Sequence, residues 1–159
     1  MHKALSKRIR LSDLVLIAII ILLLCANMTR LITGFTPLAV IEGRSMMPMF
    51  KNGDIVFVLP ATDISIGDII IYKTCDGKLV IHRVIDIVKV EGKIYYTTKG
   101  DGNEWIDFHN FIDCSTFKKL PGIPSERVVG KVLYVTGVHI KIPYIGLITI
   151  FTSKLLSSI

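Results

Sequence analysis

The chain has 159 residues, enough for one domain and an anchor but too few for two sizeable hydrophobic cores. Hydrophobic residues make up 51% of it, which is high for a soluble domain, and the formal net charge is +6. A nucleic-acid-binding protein would cluster lysine and arginine among exposed aromatic residues, and the sequence has no such cluster. The positive charge instead favours contact with anionic lipid headgroups.

The first predicted element is a membrane anchor. Every residue from Leu14 to Met28 is apolar except Asn27, and residues 11–31 together reach the roughly 20 residues that a helix needs to cross hydrocarbon. A cleaved secretory signal is the alternative, but the apolar run is long for a signal core and no small-x-small cleavage pattern follows closely. The sequence therefore predicts a retained signal anchor at 11–31. Residues 1–10 carry four cationic side chains, which predicts a cytoplasmic N-terminal tail with the rest of the chain outside.

Residues 32–141 are predicted to form an extracytoplasmic catalytic domain that is mainly β, coiled into a compact, barrel-like sheet. Short runs rich in valine and isoleucine alternate with turn signals, which are Asn52-Gly53, Gly67-Asp68, Asp76-Gly77 and Glu91-Gly92. Residues 101–125 contain glycines, prolines and the single tryptophan, so they are predicted to be a loop whose half around Cys114 is an insertion.

Residues 142–159 are apolar but short for a second crossing, so the sequence predicts a membrane-associated segment that lies on or dips into the bilayer. Cys75 and Cys114 both fall on the predicted outer side, where a disulfide can persist, although two free thiols are the default prediction. No cysteine or histidine spacing matches a zinc site and no phosphate-binding loop is present, so neither a metal nor a cofactor is predicted.

Four residues have the types that serine hydrolysis requires, namely Ser45, His82, Asp101 and Asp107. The reaction needs a nucleophile, a base that takes its proton and a group that orients the base. Ser45 follows a β-like run and Gly43, and strand alternation places His82 on one face of its strand. Taken singly, the serine could be an ordinary turn residue and the histidine a core residue. Asp101 could simply cap a Gly-rich turn, whereas Asp107 has no obvious local task.

Several short motifs follow one another in a recognisable order. They are Ser45-Met46-Met47-Pro48, Gly53-Asp54, Gly67-Asp68-Ile69-Ile70, His82-Arg83-Val84, Lys99-Gly100-Asp101, Gly130-Lys131-Val132 and Ile142-Pro143-Tyr144-Ile145-Gly146. With these motifs the chain resembles signal peptidase I, in the form found in archaea and in the endoplasmic reticulum. Each motif is weak alone, and the ordered set is specific.

The resemblance implies a membrane-bound serine endopeptidase that cleaves signal peptides from secretory precursors, with Ser45 as nucleophile and His82 as general base. Ordinary bacterial members have a lysine at the base position, so the histidine favours the archaeal and endoplasmic-reticulum branch or the related sporulation type, and the residues favour an archaeon. The third role falls on Asp107 or Asp101. Asp107 is favoured because the second aspartate of the family motif lies six residues past the first.

Members often carry a serine two residues before the nucleophile, where its hydroxyl can help the oxyanion hole. Gly43 stands there instead, so the backbone N–H of Ser45 and a second, unidentified donor are expected.

The partners expected from this interpretation are signal peptides, the lipid bilayer and the translocation channel, without nucleic acid. The expected location is the cell membrane, with a single pass. Ser45 lies 14 residues beyond Leu31, so the active site should be close to the membrane surface. Two alternatives stay open. One is a self-cleaving or regulatory serine peptidase, which usually has a lysine base, and the other is a non-catalytic membrane-tethered subunit of a secretion or translocation complex.

Overall fold

The computed structural model describes residues 10–33 and 37–157, and the chain divides between residues 36 and 37 into two compact units. Helix α1, Leu11–Thr33, forms the described part of the first unit. Its start is capped locally, since the Arg10 N–H donates to the Asp13 carboxylate at 3.1 Å. Counting the described residues alone, no helix combines the length and the apolarity that crossing a membrane requires. Except for Arg10, the predicted cytoplasmic tail lies outside the described residues.

The second unit is mainly β, which confirms that part of the predicted fold class. Its strands are β1 Leu38–Val40, β2 Ile55–Leu59, β3 Ile69–Lys73, β4 Leu79–Val90, β5 Lys93–Lys99, β6 Ile123–Pro124, β7 Val128–Val132, β8 Tyr134–Val135, β9 Val138–His139 and β10 Lys141–Ile142. Short 3-10 turns cover Phe108–Asn110 and Ser125–Arg127, and helix α2 covers Gly146–Ser157. The main sheet has the order β1-β2-β7-β3-β4-β5-β6 with β10 also paired to β2, and all of these pairings are antiparallel. Strands β8 and β9 form a separate hairpin.

Two of the predicted turn signals connect strands that are paired in the sheet. Glu91 and Gly92 form a two-residue loop between β4 and β5, and both have positive φ, 50° and 79°. Such a turn matches the right-handed twist of paired strands, and glycine adopts its second position without steric cost. Asp76 and Gly77 lie in the turn between β3 and β4, which the Thr74 N–H closes by donating to the Lys78 carbonyl at 2.8 Å.

Hydrophobic side chains cover both faces of the sheet around β3. The first core cluster contains Ile41, Met46, Phe50, Val56, Ile69 and Val132. The second core cluster contains Ile70, Tyr72, Val84, Tyr96, Phe111 and Ile123. Neighbouring residues of one strand, Ile69 and Ile70, thus belong to different clusters, because side chains of a strand alternate between its two faces. This arrangement determines which face of β4 each of its side chains occupies.

A disulfide joins Cys75 to Cys114, so the default prediction of two free thiols is wrong. Cys75 lies in the turn after β3 and Cys114 lies in the long loop after the 3-10 turn, at a sequence separation of 39. Sequence spacing alone could not establish this pairing, because the loop's path back to the end of β3 depends on tertiary contacts. The bond fixes the half of the loop that was predicted to be an insertion.

The C-terminal segment folds back onto the motif that contains Gly53 and Asp54. Asp54 is 1% exposed and accepts hydrogen bonds from Lys141 Nζ at 2.8 Å and from the Lys51 N–H at 3.0 Å. Burial alone would raise the pKa of Asp54, but these donors and the lysine charge together hold that pKa below its ordinary value. The Gly146 N–H donates to the Gly53 carbonyl at 2.9 Å. The start of α2 is therefore held against the loop that contains Ser45.

Candidate active site

Ser45 lies in a turn that begins shortly after β1 and is held by buried neighbours. The Ile41 N–H donates to the Asp54 carbonyl and the Gly53 N–H donates to the Ile41 carbonyl, each at 2.8 Å. These two hydrogen bonds close the base of the loop. Met46 and Phe50 are buried in the first core cluster, and the Phe50 N–H donates to the Met46 carbonyl. Ser45 itself is partly exposed. The turn thus leaves its hydroxyl accessible while the next side chain is fixed in the core.

His82 and Asp107 form a buried pair. His82 lies on β4 and pairs with Ile70 of β3, so its side chain is on the face of the second core cluster, as strand alternation predicts. Asp107 directly precedes the 3-10 turn. Nδ1 of His82 lies 2.5 Å from Oδ2 of Asp107, and the two residues are 6% and 2% exposed. Because Nδ1 is engaged by the carboxylate, Nε2 is the ring nitrogen left to exchange a proton with a nucleophile.

The carboxylate of Asp107 is held by two further hydroxyl groups that the sequence interpretation missed. Tyr72 donates to Oδ2 at 3.0 Å and Thr98 donates to the same oxygen at 2.7 Å. The Asp107 N–H donates to the Thr98 carbonyl at 2.9 Å, and Asn110 Nδ2 donates to the Tyr72 hydroxyl at 3.1 Å. Burial, together with the negative charge of Asp107, raises the pKa of Tyr72, so the phenol stays protonated as a donor.

The serine turn and the imidazole both approach Gly100, at the end of β5. A Cβ atom at this glycine would lie 2.5 Å from the Ser45 carbonyl oxygen and 2.9 Å from Nε2 of His82. Those two atoms can therefore be at most about 5.4 Å apart. The Gly102 N–H also donates to the Ser45 carbonyl at 2.8 Å. In the described chain no hydrogen bond joins the Ser45 hydroxyl to Nε2, and such bonds often form fully only when substrate is bound.

Asp101 occupies a different position from Asp107. Arg83 donates from Nε and Nη2 to the two carboxylate oxygens of Asp101, at 2.8 Å and 2.6 Å, and from Nη1 to the Gly67 carbonyl at 2.8 Å. The hydrogen bonds that Arg83 donates to Asp101 raise the pKa of Arg83 above its ordinary value. The structure therefore brings Ser45, His82 and Asp107 together and places Asp101 on Arg83. Asp101 ties the loop to β4 by a two-pronged ion pair.

An open cavity of about 490 Å³ lies beside Asp107 and is lined by residues 102–109. Trp105 is 73% exposed and Phe108 is also well exposed, so aromatic surface faces the solvent here. Gly102 lines this cavity and also donates its N–H to the Ser45 carbonyl, so the cavity lies next to the serine turn. The lining combines the apolar side chains of Trp105, Ile106 and Phe108 with several polar side chains.

The remaining histidines of the described chain lie elsewhere. The ring of His139 packs against Tyr134 and Phe50 with centroid distances of 4.9 Å and 5.8 Å, and burial lowers its pKa. His109 contacts Asn110 at the surface. Among the described residues, no group of three or more His, Cys, Asp and Glu is placed to hold a metal ion.

Comparison with known proteins gives a consistent set of relatives. Residues 26–96 match the family model described as Peptidase S24-like. The chain is 28% identical over 137 residues to the signal peptidase complex catalytic subunit sec11 of Schizosaccharomyces pombe, covering 73% of this chain and 67% of the relative. It is 35% identical over 77 residues to signal peptidase I W of Bacillus subtilis, covering 46% of this chain and 40% of that protein.

The chain is thus similar to signal peptidases, and residues 26–96 are similar to S24-like peptidases. The human signal peptidase complex catalytic subunit SEC11C is a further relative, 29% identical over 119 residues, covering 72% of this chain and 56% of the human protein. This chain thus spans about two thirds of the fission-yeast relative and smaller shares of the bacterial and human ones. Both eukaryotic relatives are named as catalytic subunits, and the comparisons give no support to a non-catalytic role.

Proposed function

We propose that this protein is a serine endopeptidase that cleaves signal peptides from secretory precursors at the outer surface of a membrane. The observation that supports this most directly is the buried His82–Asp107 pair, whose free Nε2 faces the turn that holds Ser45. The similarity to proteins named as signal peptidases favours signal peptide cleavage as the reaction of this serine site.

In the proposed reaction, the Ser45 hydroxyl attacks the carbonyl carbon of the scissile peptide bond. Nε2 of His82 accepts the hydroxyl proton as the new C–O bond forms, and the ionised Asp107 stabilises the resulting imidazolium. Collapse of the tetrahedral intermediate breaks the C–N bond, and His82 delivers the proton to the leaving amine. Water then attacks the acyl-enzyme while Nε2 of His82 accepts its proton. His82 returns the proton to the Ser45 oxygen as the ester C–O bond breaks, which releases the signal peptide and restores Ser45.

The developing oxyanion needs donors, and Gly43 has no side chain that could supply one. We propose that the backbone N–H of Ser45 and the side-chain amide of Asn103 fill this role. A Cβ atom built on Gly100 would lie 2.8 Å from Nδ2 of Asn103. The same position is within 3 Å of Nε2 of His82 and of the Ser45 carbonyl oxygen. In the described chain this amide donates no hydrogen bond, so it can turn toward a substrate oxygen without giving up a partner.

Substrate backbone is proposed to add to β1 as an extended strand. Within residues 37–157, β1 pairs with β2 alone, and it leads directly into the turn that holds Ser45. An added strand obtains affinity from main-chain hydrogen bonds and specificity from pockets for alternate side chains. The cavity lined by residues 102–109 is a candidate for one such pocket.

The protein is further proposed to be anchored in the cell membrane by residues 11–31, with a cytoplasmic N-terminus and an extracytoplasmic catalytic domain at 32–141. This proposal comes from the sequence, because the run Leu14–Met28 is almost wholly apolar and cationic residues precede it. Residues 142–159 are proposed to contact the same membrane, which the exposed Ile148, Phe151 and Leu156 of α2 support. Anchoring enzyme and precursor in one bilayer, near the translocation channel, raises their effective concentration.

Two measurements test the proposal. The first is cleavage of a signal-peptide-bearing precursor by membranes that contain the intact protein, Ser45→Ala or Ser65→Ala. Ser65 is an exposed turn serine outside the site, so Ser65→Ala should process the precursor normally while Ser45→Ala should not. Equal processing by both variants would refute the role of Ser45. The second is alkaline extraction of the membranes, where release of the full chain into the soluble fraction would refute the anchor.

A further inference from the structure

We propose that Tyr72 is a positioning residue of this site: its hydroxyl holds the carboxylate of Asp107 in the orientation that serves His82. The proposal rests on the proposed serine endopeptidase function. It adds a side chain that acts on the reaction through Asp107, without touching substrate.

The hydrogen bonds around Tyr72 have a defined direction. The Asn110 amide nitrogen can only donate, so the Tyr72 oxygen accepts that bond at 3.1 Å. The single phenolic proton is then available to Asp107, whose Oδ2 lies 3.0 Å away. Since Oδ2 also binds Nδ1 of His82, the tyrosine acts on the same oxygen that orients the base.

The segment that contains Asp107 is tied three times to the strand that contains Tyr72. The first tie is the Tyr72–Asp107 bond itself. The second is Arg127, which donates to the Lys73 carbonyl at 2.7 Å and to the Asn110 carbonyl at 3.0 Å. The third is the Cys75–Cys114 disulfide, which starts three residues after Tyr72 and ends seven residues after Asp107. These contacts fix the loop against the end of β3, so the Tyr72 hydroxyl stays within hydrogen-bond distance of the Asp107 carboxylate.

The chemistry of the position favours a positioning role over simple packing. Tyr72 is 0% exposed, and a buried hydroxyl is costly unless it is hydrogen-bonded. Phenylalanine would fill the same space without that requirement. Charge-assisted bonds are also stronger than neutral ones, so a phenol that donates to a carboxylate restricts its rotation.

The test is Tyr72→Phe in the full chain, with Tyr96→Phe as the matched control. Tyr96 is a buried tyrosine of the same core cluster, and no hydrogen bond in the described chain links it to Asp107. We expect Tyr72→Phe to lower kcat for precursor cleavage by roughly tenfold or more, with KM changed less than twofold. The pH profile of activity should also differ from that of the parent, because Tyr72→Phe removes one of the donors to the Asp107 carboxylate. Tyr96→Phe should change none of these quantities.

A second variant and a spectroscopic measurement complete the test. Asn110→Ala should lower kcat to a smaller extent, and it should have no further effect in the Tyr72→Phe background, since both act through one hydrogen-bond chain. In the Ser45→Ala protein, the downfield proton resonance of the His82–Asp107 bond should exchange faster after Tyr72→Phe and not after Tyr96→Phe. This readout needs no catalysis, so it tests the tyrosine even if Ser45-dependent cleavage is absent and the proposed function fails. Equal exchange and equal pH profiles for the two phenylalanine variants would overturn the proposal.

Discussion

Replacement of each candidate aspartate by asparagine separates the two roles that the sequence left open. Asp107→Asn and Asp101→Asn make the same change, loss of one charge with almost no change in size. Asp107 contacts Nδ1 of His82, whereas Asp101 contacts only Arg83 among the charged partners in the described chain. The two variants are therefore matched controls for each other.

The loss expected for Asp107→Asn follows from the buried ion pair that forms in the transition state. Two unit charges about 4 Å apart at an effective dielectric constant of about 20 attract by about 4 kcal/mol, which corresponds to roughly a thousandfold in rate. The amide can also bind the imidazole in the wrong tautomer, and the comparable change in a well-studied Ser-His-Asp protease costs about 10⁴. We therefore expect kcat to fall by a factor on the order of 10³–10⁴.

Asp101→Asn is expected to lower the stability of the fold and to have little effect on kcat. It removes a two-pronged, partly buried bond to Arg83, which should lower the free energy of unfolding by about 1–3 kcal/mol. Because Asp101 does not contact His82, kcat should stay within about tenfold of the parent value. The assay is cleavage of a labelled precursor by equal amounts of each full-length variant, with thermal unfolding followed by circular dichroism.

The activities of the two asparagine variants decide which aspartate orients His82. If Asp101→Asn reduces kcat as much as Asp107→Asn while both remain folded, the assignment of the orienting carboxylate from the 2.5 Å contact with His82 is wrong. A fully active Asp107→Asn enzyme would have the same consequence. A loss of activity in Asp107→Asn that simply follows a loss of folded protein would be recognised from the unfolding curve.

Three further changes test other parts of the site. Gly100→Ala adds a methyl group within 3 Å of the serine turn and the imidazole, so cleavage should fall about a hundredfold. Gly67→Ala adds a carbon that meets no atom within 4 Å, but the φ of 97° at this position strains an alanine. It should therefore lower stability while the cleavage rate of the folded protein falls much less than for Gly100→Ala, and equal rates for the two folded variants would contradict the steric argument. Cys75→Ser combined with Cys114→Ser opens a loop of sequence separation 39, which should lower the free energy of unfolding by about 4 kcal/mol. Urea titration of the full chain in detergent measures this, and a loss below about 1 kcal/mol would show that other contacts hold the loop. Asn103→Ala should lower kcat by a factor on the order of 10² with KM nearly unchanged, and an unchanged kcat would remove it from the proposed oxyanion site.

The sequence was most informative where local rules decide the structure. Turn signals such as Glu91-Gly92 located strand ends, and the alternation along β4 predicted the face that His82 occupies. The residue types required by serine hydrolysis were also recognisable before any fold was known. Each of these predictions depends on neighbours in the chain or on the chemistry of a side chain.

The contacts that complete the site depend on residues far apart in the chain. Tyr72 is 35 residues from Asp107 and follows three isoleucines in β3, where its residue type and position are those of an ordinary core residue. Thr98 likewise appears as a normal strand threonine. The one available signal was a polar tip within a buried strand, because such a group needs a partner. The identity of that partner depends on the path of residues 101–114, which turn signals do not specify.

The alternation of side chains along β4 explains why both aspartates were plausible partners of His82 and why they contact different residues. His82 and Arg83 are consecutive residues of β4, so their side chains leave opposite faces of the sheet. Each side chain carries nitrogen donors, and each requires a carboxylate on its own face. Asp101 and Asp107 lie six residues apart in the loop that follows β5, close enough for one to reach Arg83 and the other His82. A search by residue type finds both aspartates, and only the face of the strand shows that Asp107 contacts His82 and Asp101 contacts Arg83.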